Sequence, residues 1–144
     1  MKRVLLGVAA AAAAATAAVL VPQAAGATGS GGGGGDSVTV ASFADYNLSG
    51  ASLDLDLVVT CSKGLLQTGT VTGSVTQQPP ETPSPVTLSA GNSLVVCDGK
   101  PHAVGLTVDG AGFDDGKAKA TVMLTNPNTL KVTTVTAPIV ITAH

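Results

Sequence analysis

Aromatic side chains are almost missing from this 144-residue sequence: Phe43, Tyr46 and Phe113 are the only ones, and tryptophan is absent. A sugar-binding platform needs flat rings and an interface hot spot needs large rigid anchors, so composition argues against both. The core is therefore expected to be built from Leu, Val, Ile and Ala. Arginine is nearly absent too, occurring once as Arg3. Phosphate contacts from Lys and Arg supply most of the affinity for nucleic acid, so no nucleic-acid partner is expected. Histidine and cysteine number two each, too few for most metal centres once the cysteines are paired. No cofactor is expected.

What is present begins with a leader. Lys2 and Arg3 precede an uncharged run over 4–21, made almost entirely of Ala, Val and Leu, followed by Pro22-Gln23 and by Ala25-Gly26-Ala27. These are the n-region, h-region and A-x-A site of a secretory signal peptide, with cleavage expected after Ala27. The alternative is an uncleaved anchor, because the run is just long enough to cross a bilayer of about 30 Å at about 1.5 Å per residue. Its Ala-rich middle is weakly hydrophobic, and the proline and A-x-A belong to a cleavage site. The reading is a secreted protein, extracellular or cell-wall associated, with no stable membrane insertion after cleavage. Without residues 1–27, five lysines face nine acids, a net charge of −4 with His neutral.

Residues 28–35 read Thr-Gly-Ser followed by five glycines, a composition that loses much backbone entropy on ordering and predicts a flexible tether. The remaining 36–144 fit one domain. There the hydrophobic period is two: Leu53, Leu55, Leu57, Val59 and Cys61 alternate with Asp54, Asp56 and Thr60, as in a strand with one buried and one wet face. Val71-Gly73-Val75, His102-Val104-Leu106-Val108 and Ala118-Ala120-Val122-Leu124 follow the same grammar. Weaker strands are expected within 37–43, 86–97 and 130–141, with Pro138 marking a bulge or an edge. About seven strands separated by Asn, Asp and Gly turns imply an all-β fold, an antiparallel immunoglobulin-like β-sandwich, with a small β-barrel as the alternative. Four prolines within 77–85 predict a protruding extended loop, either a passive connection or a docking site for an aromatic groove.

In an exported chain an even cysteine count predicts pairing, so Cys61 and Cys97 are expected to form a disulfide. His102 follows Cys97 and Asp98 closely, which raises a Cys/His site. The bridge would consume the cysteine, and His102 is in phase with the buried residues of its strand, so Asp98 and His102 are read as a turn or surface site. Hydrolysis through His102 with Asp98 or Asp114 is the enzymatic alternative. Asp109, Asp114 and Asp115 on a glycine-rich loop offer oxygen ligands of the kind calcium takes, without the EF-hand spacing; turn geometry is the other explanation. Asp54 and Asp56 are read as a solvated face. Asn47-Leu48-Ser49 is formally a glycosylation sequon.

The Ala-rich leader, the Val59-Thr60-Cys61 stretch, the Cys97-Asp98-Gly99-x-x-His102 pattern and the spacing of Phe113, Gly116, Ala118 and Ala120 together resemble small exported proteins of high-GC Gram-positive, actinobacterial bacteria. That resemblance implies an immunoglobulin-like sandwich and no particular activity. The chain also resembles the neocarzinostatin type of apoprotein, an exported acidic β-sandwich that holds an apolar chromophore, but it lacks a second cysteine pair and cleft-lining aromatics. The expected function is a non-catalytic binding or structural role at or beyond the cell surface, toward an unknown surface or extracellular partner, as a monomer. A carrier of a small apolar ligand is the alternative.

Overall fold

The computed structural model describes residues 28–30 and 35–144. The leader and its cleavage site lie outside the described residues, as do residues 31–34 of the tether. The described chain is all-β. Its strands are β1 (Thr28–Ser30), β2 (Ser37–Val40), β3 (Phe43–Asn47), β4 (Ser52–Thr60), β5 (Thr68–Gln77), β6 (Val86–Ser89), β7 (Ser93–Val96), β8 (Pro101–Asp109), β9 (Gly116–Asn126) and β10 (Lys131–Ala143).

Two long ladders organise these strands. In the first, β4 pairs antiparallel with β8 from Ser52↔Asp109 to Thr60↔Pro101, and β2 lies on the other edge of β4. In the second, β9 pairs with β10 from Asn126↔Lys131 to Gly116↔Ile141 and with β5 from Thr125↔Thr70 to Lys119↔Thr76. The period-two pattern sets which side chains face inward: Leu53, Leu55, Leu57 and Val59 of β4, Val104, Leu106 and Val108 of β8, and Val122 and Leu124 of β9 all join one buried cluster. The ladders meet across that cluster. A Cβ on Gly73 of β5 would stand 3.3 Å from Leu106 Cδ1 of β8, although these two strands share no ladder.

The link between the ladders runs through β3. Val40 opposes Leu57 while Asp45 opposes Asp54, so four residues on one strand face two on the other. Such a bulge bends the strand. Beyond it β3 stays paired with β4 on one edge, through Asp45–Asn47 and Ser52–Asp54, and pairs parallel with β10 on the other, Phe43–Tyr46 with Val140–Ala143. The sheet is thus mixed, where an antiparallel one was expected. The strands exceed the seven anticipated because the 37–43 segment divides at the bulge and 86–97 divides into β6 and β7, both on one edge of β5. The strand path is open: β8 meets the 86–97 segment through the single bridge Ala90↔Val108 and not a ladder. This differs from a closed small barrel. Pairing of β10 with β9 continues unbroken past Pro138↔Lys119, and pairing with β3 begins two residues later; the proline marks an edge, not a bulge.

Three further expectations are corrected. Thr28–Ser30 of the supposed tether is a strand paired with Ser37–Thr39, because the free edge of β2 offers backbone partners even to a sequence with little side-chain content. The core is not purely aliphatic: Tyr46 and Phe113 are both buried, edge to face with ring centroids 5.6 Å apart, and the Tyr46 hydroxyl donates to the Gly110 carbonyl at 3.0 Å. Nor does the proline-rich loop protrude freely. Gln77 and Thr82 are buried; the Gln77 amide donates to the Asp114 carbonyl at 2.8 Å and accepts its N–H at 2.9 Å, while Thr82 Oγ1 donates to the Ser84 carbonyl at 2.8 Å. A buried amide must satisfy both ends, and this one does so by imitating a backbone pair.

The close approach at Gly73 gives a paired test. A Cβ there would lie 2.8 Å from the Thr121 carbonyl oxygen, whereas one on Gly105 of β8 would meet nothing within 4 Å. Gly73→Ala is expected to cost about 1–3 kcal/mol through overpacking, and Gly105→Ala to be neutral or mildly stabilising by restricting the unfolded chain. Thermal melts of both variants check this; equal effects would refute the packing account.

Candidate functional site

Of the residues singled out from sequence, Cys61, Cys97, Asp98 and His102 gather at one end of the fold, where β4, β7 and β9 end and β5, β8 and β10 begin. Cys61 directly follows β4 and Cys97 directly follows β7. They form the expected disulfide, with a Cα–Cα separation of 4.4 Å, and both are buried. Backbone bonds flank the bridge: Cys97 N–H donates to the Gln67 carbonyl at 2.8 Å and Gly99 N–H to the Cys61 carbonyl at 2.9 Å.

Asp98 and His102 are brought together beside the bridge. Asp98 opens a tight turn in which its Oδ1 accepts the Lys100 N–H at 2.9 Å, the usual reason for an aspartate in this place. His102, the second residue of β8, stands opposite Val59, and its Nε2 lies 2.9 Å from the same Oδ1. A carboxylate only accepts, so that nitrogen carries the proton. The His102 hydrogen bond, and after it the Lys100 N–H, hold the Asp98 carboxyl below its ordinary value. Among the described residues the pair holds no hydroxyl: the ring's hydrogen bond goes to Asp98 and to nothing that would serve as a nucleophile. Asp114 lies in the loop that follows the far end of β8, so the structure brings His102 to Asp98 and not to Asp114.

A second polar cluster at this end was not singled out by sequence reading. Asp36 is buried; its Oδ1 accepts from Ser62 N–H at 2.7 Å, Ser62 Oγ at 2.8 Å and Asn126 Nδ2 at 2.9 Å, and its Oδ2 has no partner among the described residues. Asn126, also buried, accepts the Asn128 N–H on its own Oδ1 at 2.9 Å. The Asn128 side chain in turn donates to the Leu66 carbonyl and accepts the Leu66 N–H, both at 2.7 Å. The start of β2, the 62–67 loop and the 126–130 turn are thereby stitched together. Asn126 and Asn128 flank Pro127, a composition that signals a turn and carries no hint of a role across the fold.

The acidic loop is used for structure at the opposite end. Asp115 Oδ1 accepts the Ala143 N–H at 2.6 Å, the Asp114 backbone is held by Gln77, and Phe113 inserts into the core. No group of three or more His, Cys, Asp or Glu side chains is arranged to hold a metal ion among the described residues. Asp54 and Asp56 are exposed, as their positions on β4 predict, and Asp54 accepts from Thr107 Oγ1 at 2.9 Å. Asn47 is exposed at the end of β3, where its Oδ1 accepts from Ser49 Oγ at 2.8 Å and Gly50 N–H at 2.9 Å of the turn that follows.

Comparison of the chain with protein-family models, curated proteins and solved structures returned no match.

Two measurements probe this end. Replacing both cysteines by alanine removes the 36-residue linkage and is expected to lower stability by about 3–4 kcal/mol on the loop-entropy relation; an unchanged melt would show that the bridge adds nothing. Asp98→Asn tests the carboxylate. Because the folded-state value lies below the ordinary one, the stabilisation is complete at neutral pH and is lost as pH falls through the folded value. The gap in melting temperature between parent and variant should be open at neutral pH and close on acidification below about pH 4. A gap that persists in acid would refute the assignment.

Proposed function

We propose that this is an exported, non-catalytic immunoglobulin-like β-sandwich of the kind found among small actinobacterial secreted proteins, with a binding or structural role at or beyond the cell surface. The observation that carries it is the buried Cys61–Cys97 bridge, since disulfides persist in oxidising compartments. The sandwich reading is supported by the two ladders, β2–β4–β8 and β10–β9–β5, whose inward faces share one core. A non-catalytic role is favoured by the absorption of the reactive side chains into structure. Asp98 and His102 brace a turn, and Asp114 and Asp115 tie a loop to its neighbours. The alternative, a carrier of a small apolar ligand, has less in its favour. Among the described residues, a depression beside the proline-rich loop, lined by Thr76, Gln78, Pro79, Glu81, Lys117, Ala118 and Lys119, measures about 180 Å³, against about 300–1,000 Å³ for ordinary ligand sites.

Intact-mass spectrometry of the protein recovered from culture medium tests this reading. The expected species begins at Thr28, lacks two hydrogens relative to the reduced chain and carries no co-purifying small molecule. A chain retained inside the cell with both thiols free would overturn export, and a stoichiometric adduct would favour the carrier.

A further inference from the structure

The end that holds the disulfide also displays leucines that the fold goes out of its way to expose. Leu65 is 98% and Leu130 is 86% exposed, and Leu66 is more than half exposed. They are held there by design of the backbone. The Asn128 amide clamps Leu66 through both its N–H and its carbonyl, and the Leu130 N–H is fixed to the Asn126 carbonyl at 2.9 Å. Leu130 also adopts a left-handed φ of 57°, a conformation that costs energy in any residue with a side chain. An exposed leucine in a strained turn needs a reason beyond solubility.

The tip continues onto the adjoining sheet face. Registers place Leu94, Thr70, Thr125 and Val132 side by side across β7, β5, β9 and β10, and Val96 beside Thr68. Leu94, Val96 and Val132 are all exposed. Neighbouring residues in such a row lie about 5 Å apart, so Thr70 and Thr125 stand between Leu94 and Val132, and the sheet face beside the tip is a mixed apolar and hydroxyl surface. The charge around it is positive although the chain as a whole is acidic. Lys63, Lys100 and Lys131 are exposed at this end, Asp36 is buried, and Asp98 is engaged by His102. Apolar side chains at the apex with a collar of lysines match an anionic lipid surface, where leucines enter the acyl boundary and ammonium groups remain among the head groups. A protein partner would have to supply a complementary hollow, whereas a lipid surface accommodates a convex tip.

We propose that the loops 62–67 and 126–130 form a peripheral membrane-docking tip directed at anionic lipid. This assigns a partner to the binding role above, but it rests on the folded domain alone and can fail while export stands. The absence of tryptophan makes the test direct. Leu65→Trp and Leu130→Trp each place a single reporter on the tip, and Phe43→Trp places one at an exposed site on β3, away from the tip. With phosphatidylglycerol vesicles the emission of both tip reporters should shift to the blue, the shift should weaken with added salt, and Phe43→Trp should not move. This readout reports which surface meets lipid whether or not residues 1–27 are attached. Leu65→Ser with Leu66→Ser should cut vesicle partitioning by about tenfold or more, with circular dichroism unchanged. No shift at either tip position, or an equal shift at Phe43, would overturn the proposal. Equal shifts on phosphatidylcholine would overturn its charge requirement. A blue shift that grows with protein concentration in the absence of vesicles would assign the leucines to a second copy of the chain instead.

Discussion

The Cys61–Cys97 bridge is the constraint on which the rest of the architecture turns. Cys61 directly follows β4, in the first ladder, while Cys97 directly follows β7, which pairs with β5 in the second. The covalent link therefore joins the two ladders at one end of the fold. Gly69 of β5 lies directly over it: a Cβ there would stand 3.0 Å from one sulfur and 3.1 Å from the other. The bridge, the glycine above it and the flanking backbone hydrogen bonds act as one unit. A domain this small buries only a modest core, so a covalent tie carries an unusually large share of its stability.

Polar staples extend that logic to both ends. At the disulfide end, Asp36, Ser62, Asn126 and Asn128 connect β2 to two loops. At the other, Gln77 grips the 109–116 loop and Asp115 holds the terminal strand. Exposed strand edges are also managed. Beyond its one bridge to Ala90, β8 is capped by Ser93, whose hydroxyl donates to the Gly105 carbonyl at 2.8 Å, which blunts an edge that would otherwise invite pairing with another chain. These contacts explain why a chain rich in threonine and glycine holds defined loops.

Charge follows the two ladders. The strand acids Asp45, Asp54, Asp56 and Asp109 all lie on β3, β4 and β8, whereas the strand lysines Lys117, Lys119 and Lys131 all lie on β9 and β10. On the acidic side Asp45 stands directly opposite Asp54, a like-charge pairing that costs a few tenths of a kcal/mol or more. On the other side hydroxyls run in register from Ser89 through Ser74 and Thr121 to Thr136, with Thr121 and Thr136 hydrogen-bonded at 3.2 Å. The molecule thus has an acidic face, a hydroxyl face and a basic, leucine-bearing tip.

The local pattern determined much of this. Period-two alternation specifies which residues of β4, β5, β8 and β9 point inward, because side chains on a pleated strand alternate by geometry. The even cysteine count specified the bridge, and the Asp-Gly turn placed His102 beside Asp98. What the tertiary structure alone decided were the relations between distant segments: the placing of β3 between β4 and β10, the burial of Tyr46 against Phe113, the folding back of the proline-rich loop onto Gln77, and the Asp36–Asn126 pair across 90 positions of sequence. Each depends on a partner far along the chain, and a polar residue that satisfies a distant backbone group has the same composition as one in an ordinary turn. The exposed leucines are the converse case, since only the folded arrangement shows which leucines the core leaves out.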